Sequence, residues 1–185
     1  SSDLKGMPAA LLMAMSRTVM RTKTTVNPTP TPEVILDDCN TELYDDFTEV
    51  SMFATVFVGQ YHHVDRKLIY ANAGHSPVVY CPYDGEPVLL EADGTAIGVL
   101  PTSLAEDQTL TFRKDDVLVV MTDGFSEASN HDDELFGYDR LLKVIQMLSK
   151  KTAKDIFDGL YETIKNFSAG RPQDDDQTMI VIKGT

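Results

Sequence analysis

Val117-Leu118-Val119-Val120-Met121-Thr122-Asp123-Gly124 is a strand-forming run that ends on a carboxylate and a glycine. Its unbroken apolar stretch predicts a buried strand. Asp123, at the mouth of that strand, is a poor core residue and a good ligand for a hard cation. A second acidic cluster, Asp174-Asp175-Asp176, immediately precedes the last apolar run, Met179-Ile180-Val181-Ile182. Two such mouths, far apart in the chain, predict one Mg²⁺- or Mn²⁺-type site built from strand ends. Such a site points to metal-assisted hydrolysis, in particular of a phosphoester.

Reading outward, the pattern changes several times. Pro8 suits the first turn of a helix, and Ala9 to Met20 is apolar almost all round, which predicts a largely buried helix. Asn27-Pro28-Thr29-Pro30-Thr31-Pro32 is a stiff connector. Thr31 is placed to cap a second helix with Pro32 at its first position. Ile35, Cys39, Leu43 and Phe47 recur every four residues as one buried stripe. Between Glu33 and Glu49 lie seven acids and no Lys or Arg.

After Glu49 the period becomes that of strands: Met52 to Tyr61, Lys67 to Ala73 and Pro77 to Cys81. Asp65-Arg66 and Asp84-Gly85 are hairpin-turn candidates. Leu110-Thr111-Phe112 and Val117 to Thr122 are expected to pair as another antiparallel hairpin. Helix returns at Tyr138 to Ser149. Thr152 and Asp155 then form a capping pair ahead of Ile156, Leu160, Ile164 and Phe167. The expected class is α+β, mainly antiparallel sheet flanked by helices, in a single domain over residues 1–185.

The 185 residues suffice for one domain with a real core, and the net charge of −13 argues against a bare nucleic-acid surface. Cys39 and Cys81 form no C-x-x-C motif or disulfide framework, which fits a reduced, cytoplasmic setting. No apolar run approaches membrane-spanning length, so no membrane insertion is expected.

Each motif also has a plainer reading. Asp123-Gly124 alone is most often a turn. The acidic triplet alone is a solvated loop, although three adjacent like charges repel and a dication relieves that repulsion. In Ala73-Gly74-His75-Ser76-Pro77, neighbouring residues of an extended chain point to opposite faces, which argues against a hydroxyl–imidazole relay. His62-His63 lacks spaced partners for zinc. Lys5-Gly6 is no phosphate loop.

Taken in order, several segments resemble one family. They are Lys5-Gly6-Met7-Pro8-Ala9-Ala10-Leu11, Met52-Phe53-Ala54-Thr55, Tyr70-Ala71-Asn72-Ala73-Gly74-His75-Ser76-Pro77 and Ile97-Gly98-Val99. Thr122-Asp123-Gly124 with Glu127-Ala128, Leu135-Phe136-Gly137, and Gln173-Asp174-Asp175-Asp176-Gln177-Thr178 complete the set. The series is similar to the SpoIIE/RsbU-type, sigma-factor-regulating branch of the metal-dependent serine/threonine protein phosphatases, the PPM family. The resemblance implies an αββα sandwich and two divalent ions, Mn²⁺ or Mg²⁺. It also implies a metal-activated water attacking phosphoserine or phosphothreonine directly. Asp123 matches the ligand of the family's Asp-Gly motif, and Asp175 the first Asp of its Asp-Asp-x-Thr motif. These two are the candidate catalytic residues. With Gly124 and Asp3 they make up the candidate metal-binding set. Asp174 and Asp176 would flank it, and Asn72 and His75 would support the sheet nearby. A phosphoprotein substrate, specifically a phosphorylated anti-sigma-factor antagonist, and a sensor or regulatory domain in the same or another chain are the implied partners.

The chain departs from that pattern in two places. The opening strands, with a Gly-Asp-x-x-Asp segment, are expected to be absent, since a full domain of this type needs roughly 220–240 residues. Where the family places an Asp before the first helix, alignment on Gly6 puts Ser1, and Asp3 lies two places later. Two alternatives therefore stand beside the phosphatase. One is a degenerate domain that binds a partner without turnover. The other is an unrelated acidic α+β binding module.

Overall fold

The computed structural model describes residues 7–25, 28–173 and 175–185. In chain order its elements are α1 (Met7–Thr24), α2 (Pro32–Glu49), β1 (Val56–His62), β2 (Lys67–Ala73), β3 (Val78–Cys81), β4 (Val88–Leu90), β5 (Gln108–Thr111), β6 (Val117–Met121), α3 (Gly137–Leu148), α4 (Ala153–Ser168) and β7 (Met179–Lys183). They fall into two compact units, 1–75 with 92–111, and 76–91 with 112–185.

In the first unit an antiparallel sheet of order β1-β2-β5 is joined by two helices. The predicted stripe of α2 is buried in full, and Ile35, Cys39, Leu43 and Phe47 pack with Ala71, Ala73 and Ile97. Each such aliphatic side chain contributes roughly 1.5–3 kcal/mol of burial. Burial also pushes the Cys39 thiol up to about 11, with Glu42 adding to the shift. Asn40 of α2, fully buried, is satisfied on both sides: its Nδ2 donates to Leu100 O at 2.9 Å and its Oδ1 accepts from Gly98 N at 2.9 Å. Gly98 has φ of 88°, and a Cβ there would lie 2.5 Å from Cβ of Phe47, so only glycine fits.

Two expectations for this unit are corrected. Helix α1 is not largely buried: Leu12 is its buried residue, while Met7, Leu11 and Met13 are exposed. Val19 and Met20 join Leu12 in the core, and Lys23 reaches Asp38 and Glu42 of α2. One stripe of α1 has a neighbour within the unit, and all-round apolarity does not tell which. Thr31 occupies the cap position of α2, but its side chain makes no capping bond. Asp107 does this work from the far end of the unit: its carboxylate accepts from Glu33 N at 2.8 Å, and Glu33 accepts from Asp107 N at 3.1 Å.

In the second unit the sheet order is β4-β3-β6-β7, all antiparallel. The expected hairpin between β5 and β6 does not form. Both edges of β6 are taken, by β3 and β7, and β5 pairs with β2 in the other sheet. Adjacency in sequence suggested that pair, and competition for the edges of β6 decides against it. At the start of β6 the buried carboxylate of Asp116 accepts from Tyr80 Oη, Tyr83 N and Arg113 N at 2.9, 2.8 and 2.7 Å. Burial and this carboxylate hold the Tyr80 phenol well above its ordinary pKa. Helices α3 and α4 cover the sheet through Leu141, Ile145, Ile156, Leu160 and Ile164, as their periodicity predicts. No helix among the described residues is long and apolar enough to cross a membrane.

The Thr152–Asp155 pair caps α4 as expected, with Asp155 N donating to Thr152 Oγ1 at 3.2 Å and Thr152 Oγ1 donating to Asp155 Oδ2 at 2.6 Å. The hydroxyl holds the Asp155 carboxyl below its ordinary value of 3.8. A carboxyl lowered on folding adds stability that is complete above the unfolded value and lost as pH falls through the lowered folded value. Thr152→Ala is expected to cost about 1 kcal/mol near neutral pH. The deficit of Asp155→Asn against wild type should shrink as pH drops below 3.8. Thermal melts of the three proteins across that range check both.

Candidate functional site

The site follows from the end of β6. Register pairs Met121 with Met179, so the residues after β6 and before β7 emerge at the same end of two neighbouring strands. Asp123 and Asp175, fifty-two residues apart by number, are thereby carried to the same end of the sheet. Asp123 opens a single 3₁₀ turn, Asp123–Phe125, and its side chain is exposed. Asp175 is exposed too, with Oδ1 accepting from Asp176 N at 2.8 Å.

Thr122 fastens the two segments together. Its N–H donates to Thr178 O at 3.0 Å, its Oγ1 donates to Asp176 O at 2.9 Å, and the same oxygen accepts from Thr178 N at 3.0 Å. Gln177 Nε2 donates to Gly124 O at 2.7 Å, and Gln173 Nε2 donates to Asp175 O at 2.5 Å. Gly124 is buried against the acidic loop. A Cβ there would stand 2.7 Å from Asp176 O and 3.2 Å from Asp175 O. The glycine is thus required by close backbone approach, a stronger reason than the turn geometry read from the sequence.

Beyond the 3₁₀ turn the chain folds back on itself. Glu127 N and Ser126 Oγ donate to Asp123 O at 2.8 and 3.0 Å. Phe136 N donates to Ala128 O and Gly137 N to Ser126 O, both at 2.8 Å. Arg171, on the way to the acidic loop, donates to Asn130 O at 2.8 Å and to Asp133 Oδ1 at 2.6 Å. A small cavity of about 150 Å³ is left between Gly124, Glu127, Leu135 and Asp175. Tyr138 lines a neighbouring cavity that shares Leu135 with it. Burial raises its pKa, and the charges of Asp123 and Glu127 add to the rise.

The predicted site residues fare differently. Asp123, Gly124 and Asp175 come together in one unit. Asp3 and Asp174 lie outside the described residues. Gly124 presents a carbonyl that already accepts from Gln177, with a second lone pair remaining. Asn72 Oδ1 accepts from His75 N at 2.8 Å in the other unit, a local turn contact of the kind expected there. Among the described residues no group of three or more His, Cys, Asp or Glu gathers as a metal cage. The donors present are nonetheless of the right chemistry for Mg²⁺ or Mn²⁺: exposed carboxylates on a braced backbone, without thiols or imidazoles. Thr122, Glu127 and Gln177 were not singled out as site residues by sequence reasoning. They lie within the quoted motifs, and only the adjacency of the two strands gives them a role.

The family model for Stage II sporulation protein E matches residues 5–184. The chain belongs to the SpoIIE family. The unrelated binding module is thereby set aside. Among relatives of this SpoIIE-family chain, phosphoserine phosphatase RsbU of Bacillus subtilis is 28% identical over 182 residues, covering 97% of the chain and 52% of RsbU. The chain spans between 21% and 52% of the length of the curated relatives it matches. The SiaA-PP2C domain of Pseudomonas aeruginosa superposes with a TM-score of 0.84 at 18% identity, over 97% of this chain and 72% of that one. The phosphatase domain of SpoIIE from Bacillus subtilis, presoaked with Mn, gives 0.61 at 15% identity, over 94% and 73%. These likenesses establish the α+β fold of PP2C-type phosphatase domains.

Gly124→Ala must push backbone away from backbone, so it is expected to destabilise the protein by roughly 1–3 kcal/mol. It should also weaken Mn²⁺ binding by displacing Asp175. Thr122→Val keeps the shape and removes both side-chain bonds, so it should loosen the acidic loop with a smaller loss of stability. Melting curves and isothermal titration with Mn²⁺ on both variants check this. A Gly124→Ala protein with wild-type melting and wild-type affinity would refute the close-contact argument.

Proposed function

We propose that this chain is a metal-dependent protein phosphatase domain that removes phosphate from phosphoserine or phosphothreonine of a signalling protein. The observation that carries the reading is the meeting of Asp123 and Asp175 at the shared end of β6 and β7, clamped by Thr122 across Gly124. Asp123 and Asp175 would hold Mn²⁺ or Mg²⁺, with Gly124 O and Asp3 as further donors. Such ions, two in the complete site, supply an acidified water and neutralise charge on the phosphoryl oxygens. The chain's own contribution is placement. Thr122 and Gln177 fix the backbone of both carboxylates, so the site needs little reorganisation on binding. The exposure of both acids leaves the site open to a phosphorylated side chain on a protein surface.

RsbU is by name a phosphoserine phosphatase, and its similarity along nearly the whole chain supports the same reaction class here. A phosphorylated anti-sigma-factor antagonist as substrate, and a sensor domain as regulator, belong to the same proposal. A second reading is favoured by one observation: among the described residues the two aspartates are not joined by a third ligand. On that reading the domain binds a phosphoprotein without turning it over.

Asp123→Asn separates these readings. The wild-type chain is expected to bind Mn²⁺ and to release phosphate from a phosphoserine peptide, and the variant to lose both, with turnover falling at least about 100-fold. Metal binding without turnover by wild type would favour the non-catalytic reading. No metal binding by wild type would remove the phosphatase reading for this chain.

A further inference from the structure

Leu135 lines the pocket at the candidate site. Its side chain is 55% exposed beside Glu127 and Asp175, and its backbone is held at several points. It bridges to Ser129, its carbonyl accepts from Arg140 Nη1 at 2.6 Å, and the next two residues are tied back to Ala128 and Ser126. Arg140 is in turn stacked over the Phe167 ring at 4.9 Å. A rigidly presented apolar side chain gives up little freedom when a ligand covers it.

Leu135 also belongs to two cavities. One is the acidic pocket of about 150 Å³ at Gly124 and Asp175. The other, of about 570 Å³, continues along the first turns of α3 and carries Arg140 and the exposed Lys143. A chain of net charge −13 thus places cationic side chains beside its candidate active site, separated from it by a single leucine. Glu134 neutralises part of Arg140 at 3.5 Å and Asp139 lines the same cavity, so the groove carries both signs, with Lys143 as its exposed cation.

We propose that Leu135 and Lys143 form a substrate-docking groove that reads the residues flanking the phosphorylated one. It takes a peptide segment with an apolar side chain next to the phosphoserine, which packs on Leu135, and an acidic side chain a few residues further on, which meets Lys143. The inference rests on the phosphatase reading and deepens it. Leu135 and Lys143 are specificity residues here and touch no reacting atom.

The test uses fluorescent peptides carrying a non-hydrolysable phosphonate in place of phosphoserine, with an adjacent Leu and either Glu or Lys beyond it. Binding to the chain in Mn²⁺ is followed by anisotropy, which is independent of turnover. Wild type is expected to prefer the Glu peptide by about threefold, and Lys143→Glu to reverse that preference. Leu135→Ala should weaken both peptides by about fivefold, and Leu135→Met should restore most of the loss. Melting curves for each variant verify folding. Equal binding of the two peptides by wild type, or affinities that neither substitution changes, would overturn the groove while leaving metal-dependent phosphate binding intact. Binding that survives in Asp123→Asn with its flank preference would overturn the metal-site reading and keep the groove. Binding of neither peptide by wild type would overturn both.

Discussion

Strand β6 cannot slip. Val117, Leu118, Val119 and Met121 are buried, both edges are paired, and Asp116 pins its start with three accepted hydrogen bonds. A shift of one residue would break the pairing with β3 and β7 and move Asp116 away from Tyr80, Tyr83 and Arg113. The position of Asp123 is therefore set by the burial of β6 together with the bonds that its carbonyl accepts from Glu127 N and Ser126 Oγ. The same holds for Asp175 through the β6–β7 register and the Thr122 bonds.

Local patterns in the sequence carried far. The α2 stripe, the α4 cap, the paired faces of α3 and α4 and both strand-end acids were readable because each depends on neighbours within a few residues. What was not readable depends on partners distant in the chain. Thr31 looks like the cap of α2, yet the groups that serve it are Asp107 and Glu33, seventy-four residues apart. The β5–β6 hairpin is locally sound, and it loses to β2 on one side and to β3 and β7 on the other. The apolar circumference of α1 says nothing of which stripe finds a partner. At the site, the same division holds. Asp123 and Asp175 announce themselves as acids at strand mouths, whereas Thr122 and Gln177 become meaningful only once the two strands are adjacent.

The distribution of charge makes a further point. The acids of α2 sit in the first unit, where Lys23 meets Asp38 and Glu42 and where a cavity of about 400 Å³ is lined by Glu33, Asp37, Asp38 and Glu106. That cavity holds none of the predicted catalytic residues. The smaller pocket at Asp175 is the one with converging strand ends and a glycine that admits no side chain, which is why the proposed site is set there.

The likeness to the SiaA-PP2C domain at 18% identity fits this picture. A core asks only for apolar volume in the right alternation, and many sequences meet that demand. A backbone contact such as that of Gly124 on Asp176 admits no substitute, and a carboxylate facing a dication admits few. Most of the chain can thus vary while the fold persists, and the proposed chemistry rests on a handful of positions near two strand ends. Whether a member of such a family turns over substrate or only binds it then depends on the donors completing the metal site, because the scaffold that positions Asp123 and Asp175 is indifferent to the outcome. Loss of one proposed ligand would leave the sheet and the Thr122 clamp as they are, so that under the proposed docking at Leu135 substrate recognition would outlive catalysis.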